Sequence, residues 1–148
     1  MEVMRFSTLI PMGVIHTALE DVEFHGYTIP KGTLLMPNLY CVMKDPKIWG
    51  DPETFRPSRF LSPDGKSTVK NEAFLPFSIG KRVCLGESLA RDELFLFLTT
   101  LFQTFRVTTV PGAPKPTLDY IATSAVLMLK PHELFLVDRY DEEEKNKK

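Results

Sequence analysis

Cys84 is the residue of this sequence best placed to do chemistry. It stands in Phe77-Ser78-Ile79-Gly80-Lys81-Arg82-Val83-Cys84-Leu85-Gly86, a glycine-flanked loop with an arginine two residues before the thiol. An apolar stretch follows that reads as a helix from about Glu87 to Phe105. A thiol at the positive end of a helix and beside cations is in a setting that favours the thiolate. A thiolate is a soft, electron-donating ligand suited to iron. The glycines permit bends and close approach that a side chain would obstruct. This spacing points to an anion-stabilised Cys84 and names no cofactor. A buried structural cysteine, the usual fate of a lone thiol, is the competing reading for Cys84. It is the preferred one for Cys41 in Asn38-Leu39-Tyr40-Cys41-Val42.

The elements that must position Cys84 follow from pattern. Glu2 and Arg5 lie three apart in helix-like residues and share a face there, an arrangement that is ordinarily a surface ion pair. The stretch from Leu9 to Leu19, with Pro11, Gly13 and His16, suggests an irregular entry to a strand. Val22 to Leu35 reads as a hairpin with a Pro30-Lys31-Gly32 turn. A short strand and a helical turn fit Met36 to Met43. Prolines 46, 52 and 57 leave Lys44 to Phe60 irregular, and Ser62-Pro63-Asp64-Gly65-Lys66 forms a polar loop. The long helix would span roughly 30 Å at 1.5 Å per residue. Leu94 to Leu98 is apolar on every side, which suits the interior of something larger than 148 residues. Ala125 to Leu129 and Leu134 to Val137 read as a terminal hairpin around Lys130-Pro131-His132-Glu133. Residues 141–148 are a charged, solvated tail.

Composition limits the classes of function. The chain has 148 residues, 43% hydrophobic and 25% charged, which are ordinary globular values. A net charge of −1 argues against electrostatic binding of nucleic acid. Two cysteines make no disulfide framework and suit a reducing compartment. No apolar run approaches membrane-spanning length, and the start does not read as a signal peptide.

The loop matches, position for position, the F-x-x-G-x-R-x-C-x-G signature of the cytochrome P450 haem loop. Its continuation, Cys84-Leu85-Gly86-Glu87-Ser88-Leu89-Ala90-Arg91-Asp92-Glu93-Leu94-Phe95-Leu96-Phe97-Leu98, resembles the animal microsomal, family 2-like branch. Glu2 and Arg5 resemble the family's E-x-x-R element, and Phe55-Arg56-Pro57-Ser58-Arg59-Phe60 its F-x-P-x-R-F segment. The resemblance implies a mostly α fold with small β-sheets (α+β), of which residues 1–140 would be the C-terminal portion. It implies haem b with Cys84 as the proximal thiolate. Arg82 would pair with one propionate. His16 would reach the other, although Ile15 stands where many relatives have proline. Phe77 would shield the sulfur, Gly80 would occupy a tight bulge, and Gly86 and Ala90 would let the helix lie against the porphyrin. Lys81 would contact an electron donor, with a solvated lysine as the plain alternative. Glu2, Arg5 and Arg59 would lock the stretch before the haem loop onto the core. Ile10, Val14, Ile15, Thr123 and Ser124 would line the substrate pocket, and core packing explains them equally well.

What the resemblance implies in function is a monooxygenase acting on a lipophilic small molecule. Electrons would come from NADPH through cytochrome P450 reductase, with cytochrome b5 as a further partner. The full-length parent would sit on the cytoplasmic face of the endoplasmic reticulum membrane, held by segments absent from this chain. Two other readings stand beside it: a truncated non-catalytic product that at most binds haem, and a cysteine hydrolase using Cys84 with His16 or His132.

Overall fold

The computed structural model describes residues 1–123 and 125–140. They form two units, one of residues 1–83 with 122–128, the other of residues 84–121 with those from 129 onward. The architecture is α+β: short helices, one long helix and small antiparallel two-stranded sheets.

In the first unit, α1 (Glu2–Ser7) stops where Thr8 turns into the left-handed region, φ 39°. The Thr8 hydroxyl donates to the Arg5 carbonyl at 2.8 Å, satisfying one of the carbonyls that a helix end leaves open. β1 (His16–Thr17) is followed by a true hairpin of β2 (Val22–Phe24) and β3 (Tyr27–Ile29). Val22 stands opposite Ile29 and Phe24 opposite Tyr27. The two-residue loop is His25–Gly26, both at positive φ (49° and 83°), as a tight right-twisting hairpin requires. The sequence reading had one hairpin running to Leu35 with its turn at Pro30. That is corrected: Pro30 has no N–H to extend a ladder, so β3 ends at Ile29. The Lys31–Gly32 turn then sends β4 (Leu34–Leu35) back to pair with β1, His16 opposite Leu35.

The expected strand after Met36 is absent, because Asn38 starts a helix there. Its side chain accepts the Cys41 N–H at 3.0 Å and caps α2 (Leu39–Met43). Lys44 to Phe60 is also more regular than the prolines suggested. Asp45 caps α3 (Pro46–Trp49), and a 3₁₀ turn covers Pro57–Phe60. Pro46 and Pro57 each open their element, where a missing N–H costs nothing. These pieces gather round Met43, Trp49, Phe60 and Phe74, all buried. The Phe60 ring packs at 5.7 Å from Trp49 and 5.2 Å from Phe74, centroid to centroid. The indole N–H of Trp49 donates to the Val42 carbonyl at 2.8 Å, so its polar edge is satisfied inside the core. Cys41 is exposed, contrary to the buried role expected of it.

In the second unit, α4 (Glu87–Thr104) passes without a loop into β5 (Phe105–Thr109). β5 pairs there with β8 (Leu134–Asp138), and a separate two-stranded sheet pairs β6 (Tyr120–Ala122) with β7 (Leu127–Leu129). The terminal hairpin expected of the last two apolar runs is therefore not formed. Instead β7 pairs with the strand before it, and Thr123 N–H donates to the Val126 carbonyl at 3.0 Å. α4 buries none of its residues in this chain, and Phe97 is 73% exposed. No helix among the described residues is long and apolar enough to cross a membrane. The tail of residues 141–148 lies outside the described residues.

Candidate functional site

The best-defined side-chain cluster is built on Glu2. Its carboxylate accepts from Arg5 Nε at 2.8 Å and Arg5 Nη2 at 2.9 Å, a two-point pairing. The same carboxylate takes Arg59 Nε at 3.1 Å and the backbone N–H of Arg56 at 2.9 Å. Arg5 is fully buried (0% exposed) and spends its remaining donors on the carbonyls of Met43 and Pro52, each at 2.9 Å. Arg59 donates to the carbonyls of Trp49 (2.8 Å), Asp51 (3.1 Å) and Thr54 (3.0 Å). The structure thus brings Glu2, Arg5 and Arg59 together, with every guanidinium edge committed to α1, α2 or the segment from Trp49 to Arg59. Burial pushes the Glu2 carboxyl up, but hydrogen bonds from Arg5, Arg56 and Arg59 outweigh it and hold it below its ordinary value.

One contributor to this cluster, and one buried cation against the α1 residue Phe6, were not foreseen. Asp51 accepts Arg56 Nη2 at 2.6 Å and Arg59 Nη2 at 3.1 Å, and the Arg56 bond first, helped by the Arg59 bond, outweighs burial and holds its carboxyl low. Lys44, though buried, sits 4.1 Å from the Phe6 ring centroid and 3.2 Å from Glu53. No spacing rule ties residues this far apart in sequence to Glu2. The only signal was the density of charge between Lys44 and Arg59.

In the same unit, the loop before Cys84 is tightly wound. Ser78 lies at φ 67° with its N–H on the Leu75 carbonyl at 3.1 Å, and Gly80 lies at φ 82°. Gly80–Arg82 is a 3₁₀ turn closed by Val83 N–H to the Gly80 carbonyl at 3.1 Å. Phe77 is half-buried, while Lys81 and Arg82 are exposed.

In the second unit, Cys84 is exposed just before α4. Its carbonyl accepts the Glu87 N–H at 3.4 Å, and Gly86 accepts that of Ala90 at 2.9 Å. A Cβ on Gly86 would meet the Cys84 sulfur at 3.9 Å, an ordinary contact, so packing within this chain does not demand glycine there. Glu87 sits in the first turn of α4, where the helix dipole favours an acid, and pairs with Arg91 at 2.7 Å.

The remaining positions belong to the first unit. His16 is half-buried in β1, and Ile10, Val14 and Ile15 are exposed apolar residues. The Leu127 N–H donates to the Leu9 carbonyl at 2.9 Å, joining the β6–β7 tip to this segment. Thr123 in that tip donates its hydroxyl to the Val126 carbonyl at 2.9 Å. Ser124 lies outside the described residues.

A family model described as Cytochrome P450 matches residues 1–137. The chain belongs to the cytochrome P450 family. Cytochrome P450 2D16 of Cavia porcellus is 48% identical over 138 residues, 93% of this chain and 27% of that protein. Vitamin D(3) 25-hydroxylase of Sus scrofa is 47% identical over 138 residues, again 93% and 27%. Cytochrome P450 2U1 of Homo sapiens is 48% identical over 118 residues, 80% of this chain and 22% of the relative. The chain spans about a quarter of the length of the curated relatives it matches.

The donor set suits the haem that this P450 family implies. A bare ion needs three or four side-chain ligands, and no group of three or more His, Cys, Asp or Glu capable of that exists among the described residues. A porphyrin brings its own four nitrogens and asks the protein for an axial donor. An exposed lone thiol in a loop at the head of a helix is a donor of that second kind.

Proposed function

We propose that this chain supplies the haem-thiolate side of a monooxygenase. The proposed activity is that of a polypeptide of its relatives' length. The observation that carries the reading is the family match over residues 1–137, with Cys84 in the loop that resembles the family's haem signature. In this reading Cys84 is the axial thiolate, and Arg82 gives a propionate a charge-assisted partner. His16 serves the other propionate, Phe77 shields the sulfur from water, and Gly80, Gly86 and Ala90 keep the backbone low beside the ring. Bound in this way, haem supplies one-electron and O₂ chemistry ending in insertion of one oxygen atom into an organic substrate.

The rest of the work falls to the chain. Glu2, Arg5 and Arg59 hold the segment before the haem loop rigid, a structural role. Ile10, Val14 and Ile15 offer apolar side chains, and Thr123 and Ser124 small ones, to a lipophilic substrate. Lys81 is a contact for the electron donor, an NADPH-dependent reductase, with cytochrome b5 as a second one. The setting is the cytoplasmic face of the endoplasmic reticulum membrane.

The test is a hybrid in which residues 1–137 replace the matching segment of the Cavia porcellus relative. It is assayed with NADPH and reductase for transfer of labelled oxygen from O₂ to lipophilic compounds that the unaltered relative oxidises. Labelled product that disappears in Cys84→Ser supports the reading. A folded hybrid that loads haem but forms no product refutes it.

A further inference from the structure

Of the eight glycines, Gly13 alone stands where an added Cβ would collide with a neighbour. The atom would lie 2.8 Å from the Pro37 ring, with the Pro37 carbonyl at 3.4 Å and Leu39 Cδ1 at 3.6 Å. Gly13 sits at φ 58°, at the end of a turn that its N–H closes onto the Ile10 carbonyl at 3.4 Å. The chain on either side is held by its backbone. Before it, the Leu9 carbonyl accepts the Leu127 N–H and the Pro11 carbonyl accepts the Tyr40 N–H, both at 2.9 Å. The Tyr40 N–H lies in the first turn of α2, where a helix offers no carbonyl of its own. After it, His16 pairs with Leu35 in the β1–β4 ladder. Between these fixed points Gly13 rests on Pro37, and Val14 and Ile15 stand 72% and 54% exposed.

We infer that Gly13 is a positioning residue for substrate: its seat on Pro37 sets where Val14 and Ile15 stand. The inference rests on the reading of Ile10, Val14 and Ile15 as substrate-facing. Pro37 is followed by Asn38, whose side chain caps α2, so the ring is backed by a held segment. A Cβ at Gly13 therefore lifts the span off Pro37. Pro11 and His16 keep their backbone partners, and the displacement falls on Val14 and Ile15. Apolar side chains moved in this way lose contact with substrate in the ground state and the transition state alike. Such a loss raises KM and leaves kcat unchanged.

The hybrid carrying residues 1–137 is compared with its Gly13→Ala, Gly26→Ala and Pro37→Ala variants, and with Gly13→Ala combined with Pro37→Ala. Haem loading is read from the ferrous carbonyl band. KM and kcat are read on the lipophilic compound that the native hybrid oxidises fastest. Gly13→Ala should raise KM about tenfold, the scale of a methylene-sized change in an apolar pocket, with kcat per loaded haem unchanged. Gly26→Ala carries backbone strain with nothing near its Cβ and should leave KM as it was. Partial unfolding lowers the amount of loaded enzyme without moving KM, so a merely structural glycine would not give this split. With the ring removed, the double variant should have a KM within about twofold of Pro37→Ala alone. If Gly13→Ala loads no haem, Gly13→Asn is read in its place, since Asn tolerates the left-handed backbone and carries the same Cβ. An unchanged KM in the loaded Gly13 variant, an equal rise in Gly26→Ala, or no recovery without the Pro37 ring would overturn the inference. A native hybrid that loads haem but forms no product overturns the monooxygenase reading instead.

Discussion

Glu2 is the residue on which the first unit depends most. It is a buried carboxylate facing two guanidiniums and an amide N–H, so removing its charge strands two cations away from water. Breaking such a group from one side costs about 3–5 kcal/mol. Glu2→Gln keeps the shape and should lower the unfolding free energy of the 148-residue chain, read from urea denaturation, by an amount of that order. A midpoint equal to the native one would show the cluster to be inert. The pH dependence has a definite sign. The Glu2 carboxyl titrates below its ordinary 4.5 when folded, so its contribution is present above about that pH and is lost as pH falls through the folded value. Stability of the native chain should therefore fall more steeply with acid below 4.5 than that of Glu2→Gln. Parallel curves would contradict the assignment.

At the scale of elements, two glycines offer a controlled comparison. Gly26 sits at φ 83° with nothing near the place of a Cβ, so Gly26→Ala pays backbone strain alone, about 1–2 kcal/mol. Gly13 sits at φ 58°, and a Cβ there would lie 2.8 Å from the Pro37 ring, with the Pro37 carbonyl behind it at 3.4 Å. Gly13→Ala should cost more than Gly26→Ala when both are measured by denaturant unfolding. Equal costs would mean that the Pro37 ring moves aside freely. The sequence made local features such as these legible where residue chemistry decides them. The α4 helix was readable from its apolar run and ends within one residue of the expected place. The α1 face carrying Glu2 and Arg5 was readable from spacing. Strand partners were not: β4 returns to β1 and β8 to β5, pairings between residues far apart in sequence that no local pattern fixes. The helical turns at Pro46 and Pro57 were missed because proline looks like a breaker until it is found at a first position.

For the molecule as a whole, the apolar residues of α4 set the behaviour. Leu89, Phe95, Leu96, Phe97 and Phe102 are all exposed here, and contiguous apolar surface of this kind promotes association. Phe97→Glu should cost the fold under about 0.5 kcal/mol, as an exposed substitution does, and should reduce self-association measured by sedimentation. A large loss of stability would mean that Phe97 is packed in solution. What the sequence could not give at this scale is the surroundings of Cys84, which the proposed reading sets against a prosthetic group within a polypeptide of the relatives' length. The chain covers 27% of the Cavia porcellus relative.

The haem-thiolate assignment of Cys84 is therefore tested most directly in that relative carrying residues 1–137 of this chain, loaded with haem, reduced and exposed to carbon monoxide. The account predicts the long-wavelength Soret band of a thiolate-ligated ferrous carbonyl, lost in Cys84→Ala. An imidazole-type band in the native hybrid, or a thiolate band that survives Cys84→Ala, would contradict it.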